Sequence, residues 1–242
     1  MWPIKVFAGM MLLAVALDES IIEFDGPKKF YNYDGISVLI QQLSIAYSKN
    51  LTTCVTGYPN SICYIPTSSS SIKGQPVKVL LLGGFYAHSM TPVLLLRCAE
   101  YFQEVKFDEI KEILEVHVVP IVNVGGYNEL YDNDEDDKIL KINYIKGSSN
   151  SCYEGVNIDR CFSFNYRENE DCSEDLANRG NDAQMDDSRG IEKLLDQNYS
   201  FILNFQSITN NLIIPYAYSD NDLDEKDQIV YDKLSSKKVK YY

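Results

Sequence analysis

The segment Val77-Lys78-Val79-Leu80-Leu81-Leu82-Gly83-Gly84-Phe85-Tyr86-Ala87-His88-Ser89-Met90-Thr91-Pro92 opens with a nearly unbroken apolar run that two glycines end. A strand buried on both faces of a parallel sheet reads this way, because neither face needs polar residues. Thr91-Pro92 then predicts a helix running to Phe102, with proline in the first turn, where its missing N–H costs nothing. Val116 to Val122 is a second buried strand, and Asn123-Val124-Gly125-Gly126 is the loop at its end. Phe201 to Phe205 and Leu212 to Ile214 are further strand candidates, and a helix begins near Leu223. Upstream, Asp34 to Leu43 carries apolar residues at three- and four-residue spacing, one helix face, with Asp34 as its cap. Between Thr52 and Gln75 the chain is rich in Ser, Thr, Pro and Gly, and Cys54 and Cys63 are placed to pin a surface hairpin or loop. The acidic stretch Asp132 to Asp137 reads as an exposed excursion. Buried strands alternating with helices argue for an α/β sandwich, and the lack of a repeat or linker for a single domain.

A length of 242 residues, 45% of them hydrophobic, suffices for one sizeable core. The net charge of -13 repels phosphate backbones and anionic lipids, which argues against nucleic acid as a partner. Lys5, the apolar run Val6 to Leu13 and Ala14-Val15-Ala16 predict an export signal over residues 1–16, leaving 17–242 as the mature domain. The run is shorter than the roughly 20 residues of a membrane span; its other reading is a buried strand or helix. Six cysteines in an exported chain are expected to form at least two disulfides. Asn50-Leu51-Thr52 and Asn198-Tyr199-Ser200 match the N-glycosylation acceptor pattern, and only Asn50 lies in an obvious loop.

Gly83 to Pro92 resembles the Gly-Gly-x-His-Ala-Arg-Glu-x-x-x-Pro signature of the zinc metallocarboxypeptidases of the carboxypeptidase A and B type. The likeness continues in order. Val118-Val119-Pro120-Ile121-Val122-Asn123-Val124-Gly125-Gly126-Tyr127 resembles the family's strand and Val-Asn-Pro-Asp-Gly-Tyr loop, and Gly155-Val156-Asn157-Ile158-Asp159-Arg160-Cys161-Phe162 its Gly-Val-Asp-Leu-Asn-Arg-Asn-Phe segment. Asn204-Phe205-Gln206-Ser207 and Pro215-Tyr216-Ala217-Tyr218 are similar to its Phe-His-Ser-Tyr and Pro-Tyr-Gly-Tyr pieces. The resemblance implies a three-layer α/β/α sandwich with a mixed, largely parallel buried sheet, and zinc as the family cofactor. It also implies a zinc held by two His and one Glu, with a water in the open position. Here those positions are Tyr86, Ser89 and Gln206. A phenol, an alcohol and a carboxamide carry no charge at neutral pH and are poor zinc ligands, so no metal and no peptide cleavage are expected.

The only imidazoles of the chain are His88, where the family has a substrate-contacting Arg, and His117, within a strand. A hydrogen-bonded role suits each better than a new zinc centre. The segments that hold the family's general base Glu and mobile Tyr have no counterpart before Tyr242. Arg160 matches the Arg that grips the substrate's terminal carboxylate, but the family's Asn beside it is Asp159, for which an ion pair with Arg160 is the expectation. Lys141 falls near the electrophilic Arg, and Ser207 completes the possible carboxylate-binding set. Cys152 and Cys172 match a disulfide of many family members; Cys54 with Cys63 is then a local bridge, leaving Cys98 and Cys161 buried and inert. These readings leave a secreted, non-hydrolysing carboxypeptidase-like domain that binds a peptide or protein in the old cleft. The alternative is an active metallocarboxypeptidase with an unusual zinc site, and a third is a purely structural secreted domain.

Overall fold

The computed structural model describes residues 33–46, 53–55, 62–66, 74–86, 91–104, 113–132, 143–144, 155–164, 166, 186–206 and 224–235. In chain order these hold helix α1 (Tyr33–Ala46), strands β1 (Thr53–Val55), β2 (Ile62–Pro66) and β3 (Val77–Leu82), α2 (Thr91–Glu104), β4 (Leu114–Val119) and α3 (Val124–Asp132). There follow β5 (Asn143–Tyr144), β6 (Gly155–Val156), a 3₁₀ turn (Ile158–Arg160), α4 (Asp186–Leu195), β7 (Phe201–Asn204) and α5 (Glu225–Ser235).

The main sheet has the order β1-β2-β4-β3-β7. Strand β3 runs parallel to β4 and to β7, while β2 is antiparallel to both β1 and β4. The sheet is therefore mixed, with its parallel part confined to the three strands whose carboxyl ends carry the site. Strands β5 and β6 form a separate antiparallel pair. The central strands are apolar because both faces are covered. On one face Leu80, Leu82 and Val119 pack with Phe85, Val122, Ile158 and the α4 residues Ile191 and Leu194. On the other, Leu95 and Thr91 of α2 approach Gly83 so closely that a Cβ there would lie 2.5 and 2.6 Å from them. Burying Ile191 or Leu194 fully contributes about 1.5–3 kcal/mol each, and both are 0% exposed. Helix α1 buries Ile36, Leu39, Ile40 and Leu43, the predicted stripe. Asp34 lies in its first turn, one residue inside the helix start at Tyr33.

Two of the boundaries that differ from the sequence reading have a direct physical cause. Strand β4 stops at Val119 because Pro120 has no N–H to donate to a ladder, although the apolar run continues through Ile121 and Val122. The residues Val124, Gly125 and Gly126, read as loop, begin α3 instead. Asn123 is the reason: its side-chain Oδ1 accepts from the Gly126 N–H at 2.8 Å, capping the helix. Helix α4 had no counterpart in the sequence reading; it shows the core little more than Ile191 and Leu194. Leu212 to Ile214 and residues 133–137 lie outside the described residues.

Where the sequence reading left a hairpin or a loop around the first two cysteines, β1 and β2 pair antiparallel, with Cys54 directly opposite Cys63 in register. Helix α5 belongs to a compact unit separate from that of Asp18–Ser207. Its start is closed by the Asp224 carbonyl, which accepts from the N–H groups of Asp227 and Gln228.

Candidate functional site

The carboxyl ends of β3, β4 and β7 meet at one end of the sheet, the usual place for ligands in open α/β folds. The chain leaving β3 is held by β4: Gly83 N–H donates to Val119 O, and Val122 and Asn123 N–H donate to Gly83 and Gly84 O. Gly84 has a φ of +68°, and a Cβ on it would lie 2.9 Å from the backbone of Ile121 and Pro120. Only glycine fits there. The Asn123 Nδ2 donates to Phe85 O at 3.1 Å, fixing the residue before Tyr86. Beyond β7, Phe205 N–H donates to Leu82 O at 2.8 Å and so sets the position of Gln206. The third contributor is the 3₁₀ turn after β6, where the Asn157 side chain accepts from Asp159 N–H at 3.2 Å.

These three segments converge on one atom. Asp159 Oδ2 accepts from the Tyr86 hydroxyl at 3.0 Å and from Gln206 Nε2 at 3.2 Å. By the resemblance drawn from the sequence, Tyr86 and Gln206 fall at the positions of the family's two His and Asp159 at that of its Asn, and the hydrogen bonds join all three residues. Burial pushes the Tyr86 phenol far above its usual range; the Asp159 charge and hydrogen bond add to the shift, and Arg160 opposes it. Burial also pushes the Asp159 carboxyl up, against the hydrogen bonds from Tyr86 and Gln206 and the charge of Arg160. The phenol is therefore held neutral, with its proton aimed at Asp159.

The expected Asp159–Arg160 ion pair does not form. Neighbours on a 3₁₀ turn are separated by about 120° around its axis; Asp159 turns in to Tyr86 and Gln206, while Arg160 is exposed. Ser89, His88, Lys141, Ser207, Cys152, Cys172 and Asn50 lie outside the described residues. Cys161 is buried, its Sγ donating to Asn157 O at 3.1 Å, and burial pushes the half-buried Cys98 thiol up to about 11. Both therefore sit as poor nucleophiles at neutral pH.

His117 sits in the sheet. Its Nε2 lies 2.6 Å from Glu115 Oε1, its Nδ1 lies 2.6 Å from the Tyr199 hydroxyl, and it is 3% exposed. Burial lowers its basicity, more than Glu115 raises it. Glu115 also pairs with Lys78 at 3.7 Å. Neither Glu115 nor Tyr199 was singled out from the sequence, although the i, i+2 spacing of Glu115 and His117 on a strand places them on one face.

The donor set at the sheet end does not fit a catalytic zinc. A phenol whose proton is engaged, an amide whose NH₂ is engaged and a single half-buried carboxylate do not replace two imidazoles and a carboxylate. Among the described residues no three His, Cys, Asp or Glu side chains are grouped so as to hold a metal ion.

Comparison with known structures agrees with the architecture. The crystal structure of thrombin activatable fibrinolysis inhibitor superposes with a TM-score of 0.69 at 13% identity, over 95% of this chain and 60% of that one. Carboxypeptidase A from Helicoverpa armigera gives 0.63 at 18% identity, over 85% of this chain and 54% of that one. Bovine thrombin-activatable fibrinolysis inhibitor, in complex with tick carboxypeptidase inhibitor, gives 0.68 at 14%, over 83% and 68%. The chain thus spans about three fifths or less of the length of the first two structures, and at these identities the likeness is one of fold. No curated protein matches the sequence. The zinc carboxypeptidase family model matches residues 39–241, and with the fold and the ordered motifs around Tyr86, Asp159 and Gln206 in place, the chain belongs to the zinc carboxypeptidase family.

Proposed function

We propose that this chain is an exported, non-hydrolysing member of the family whose former catalytic cleft binds the C-terminus of a peptide or protein. The observation that carries this reading is the pair of hydrogen bonds from Tyr86 and Gln206 to Asp159 Oδ2. A working centre needs lone pairs directed at a metal and a water made acidic by it. In this chain both former imidazole positions direct protons inward, and they spend them on Asp159. Seating zinc there means breaking two hydrogen bonds and ionising a phenol that burial and Asp159 hold protonated. Support for retained binding comes from Arg160, which is exposed and, among the described residues, not drawn into an ion pair, so its guanidinium can grip a carboxylate with two parallel hydrogen bonds. Lys141 and Ser207 are the further candidates for that grip. Export rests on the leader-like residues 1–16.

One observation favours the alternative of an active enzyme: Asp159 does bring one carboxylate to the two former ligand positions. Metal analysis after dialysis against zinc, with an assay for release of C-terminal amino acids, decides between them. The expected result is no stoichiometric zinc and no release. Zinc bound one to one, with release that a chelator stops, overturns the proposal. Restoring Tyr86→His, Ser89→Glu and Gln206→His together, with Asp159→Asn, is expected to bring back tight zinc binding.

A further inference from the structure

The acceptor triplet Asn198-Tyr199-Ser200 did not lie in an obvious loop by sequence, and the structure changes that. Helix α4 ends at Leu195, a turn spans residues 196–198, and β7 does not begin until Phe201. Asn198 closes the turn at a φ of +57°, a left-handed conformation that Asn adopts more readily than most residues. From there exposure alternates: Asn198 and Ser200 are exposed, Tyr199 and Phe201 are half-buried. The outer two residues of the triplet thus present outward. Tyr199 between them is anchored, its hydroxyl 2.6 Å from His117 Nδ1 and its ring edge-on to the imidazole at 5.4 Å. Among the described residues no hydrogen bond engages the Asn198 amide.

We propose that Asn198 is an N-glycosylation site. The co-reactant is a lipid-linked oligosaccharide pyrophosphate of the secretory pathway, so the inference rests on the export reading above. The bond from the sugar's anomeric carbon to the pyrophosphate oxygen breaks and a bond to Asn198 Nδ2 forms. The amide gives up one proton, the lipid pyrophosphate leaves, and nothing is oxidised or reduced. Such a glycan is bulky and needs a free surface, which the exposed turn supplies. It also stands clear of the cleft. Ser200 N–H bonds to Lys78 O and Phe205 N–H to Leu82 O, levels about 13 Å apart along β3 at roughly 3.3 Å per residue. The glycan therefore marks the end of the sheet away from Tyr86, Asp159 and Gln206.

The test expresses the full chain in a secreting eukaryotic cell, with its own leader and, in parallel, with a proven export leader replacing residues 1–16. Protein from the medium and from the secretory lumen is treated with peptide-N-glycosidase in heavy-oxygen water, then digested and mapped. The expected result is heavy-oxygen aspartate at position 198 in most molecules. Asn198→Gln and Ser200→Ala should each migrate faster by one glycan, and Ser200→Ala leaves the left-handed Asn in place. An Asn198 peptide recovered unlabelled from exported protein overturns the proposal. Failure of the native leader alone counts against the export reading, and the foreign-leader protein still decides Asn198.

Discussion

Replacing Asp159 by Asn is expected to leave the protein as stable as the parent, or more so, near neutral pH, whereas Asp159→Ala should destabilise it by about 2–4 kcal/mol. The difference follows from what each change removes. Oδ2 accepts from Tyr86 at 3.0 Å and from Gln206 at 3.2 Å. Hydrogen bonds to a charged acceptor contribute about 1.5–3 kcal/mol each, and in a half-exposed site water recovers part of that sum, which leaves the range given. Alanine removes the acceptor. Asparagine keeps a carbonyl oxygen that can take both protons and discards only the charge. Burial raises the Asp159 carboxyl above the ordinary range, outweighing the hydrogen bonds and Arg160. The native state then holds the proton more tightly than the unfolded chain does. Stability from this group is full below the unfolded carboxylate range, about pH 4, and is lost as pH rises through the native value. Ionised Asp159 is thus a net cost at neutral pH that Asn does not carry. Urea unfolding of the three proteins near pH 7 and near pH 4 tests this. Asp159→Asn should match or exceed the parent near pH 7, with the gap closing toward pH 4, and Asp159→Ala should fall below both throughout. An Asn variant as weak as the Ala variant near pH 7 would refute the view that the acceptor, not the charge, holds Tyr86 and Gln206.

Other outcomes follow from the same structure. His117→Leu gives up the contacts to Glu115 and Tyr199 and should lower stability by about 1–3 kcal/mol near pH 7. Because burial lowers the native basicity of His117, the parent should lose stability as pH falls below about 6.5, and thermal melts of the Leu variant should show a shallower acid slope. Gly84→Ala forces a Cβ to within 2.9 Å of the backbone of Ile121 and Pro120 at positive φ, and should cost about 2 kcal/mol or more by denaturant titration. Peptide mapping without reductant is expected to join Cys54 to Cys63, which face each other across β1 and β2; losing that bridge should cost about 2–3 kcal/mol. Cys98, its thiol pushed up to about 11, should alkylate slowly at neutral pH in the folded protein and quickly once it is unfolded.

What the sequence revealed and what it hid divide along physical lines. Strands β3 and β4 were legible because burial on both faces forces a continuous apolar run, and α1 and α2 because one buried stripe repeats at helical spacing. Helix α4 was not, since it shows the core little more than Ile191 and Leu194. The start of α3 was misread because two glycines signal a turn, while the Asn123 cap that turns them into a helix is a matter of side-chain direction. The site was read position by position. Tyr86, Ser89 and Gln206 each appeared as a lost ligand, and Asp159 as a partner for its neighbour Arg160. Tyr86 and Gln206 lie 73 and 47 residues from Asp159, and no spacing rule connects them.

Geometry joins Tyr86, Gln206 and Asp159 in one hydrogen-bonded group, and under the function proposed above their differences from the family pattern are one exchange. An imidazole that binds metal offers a lone pair, whereas a tyrosine hydroxyl or a glutamine NH₂ in the same place offers a proton. Two protons aimed into a half-buried site need an acceptor, and an aspartate where the family has asparagine supplies an oxygen that takes both. Desolvation makes that carboxylate costly, and its two hydrogen bonds and the charge of Arg160 offset part of the cost. Reverting Tyr86 and Gln206 to His without touching Asp159 therefore leaves a carboxylate beside the new ligands, where it can compete for their N–H protons. The test is zinc affinity with and without Asp159→Asn in that background, and equal affinities would count against a coupled exchange.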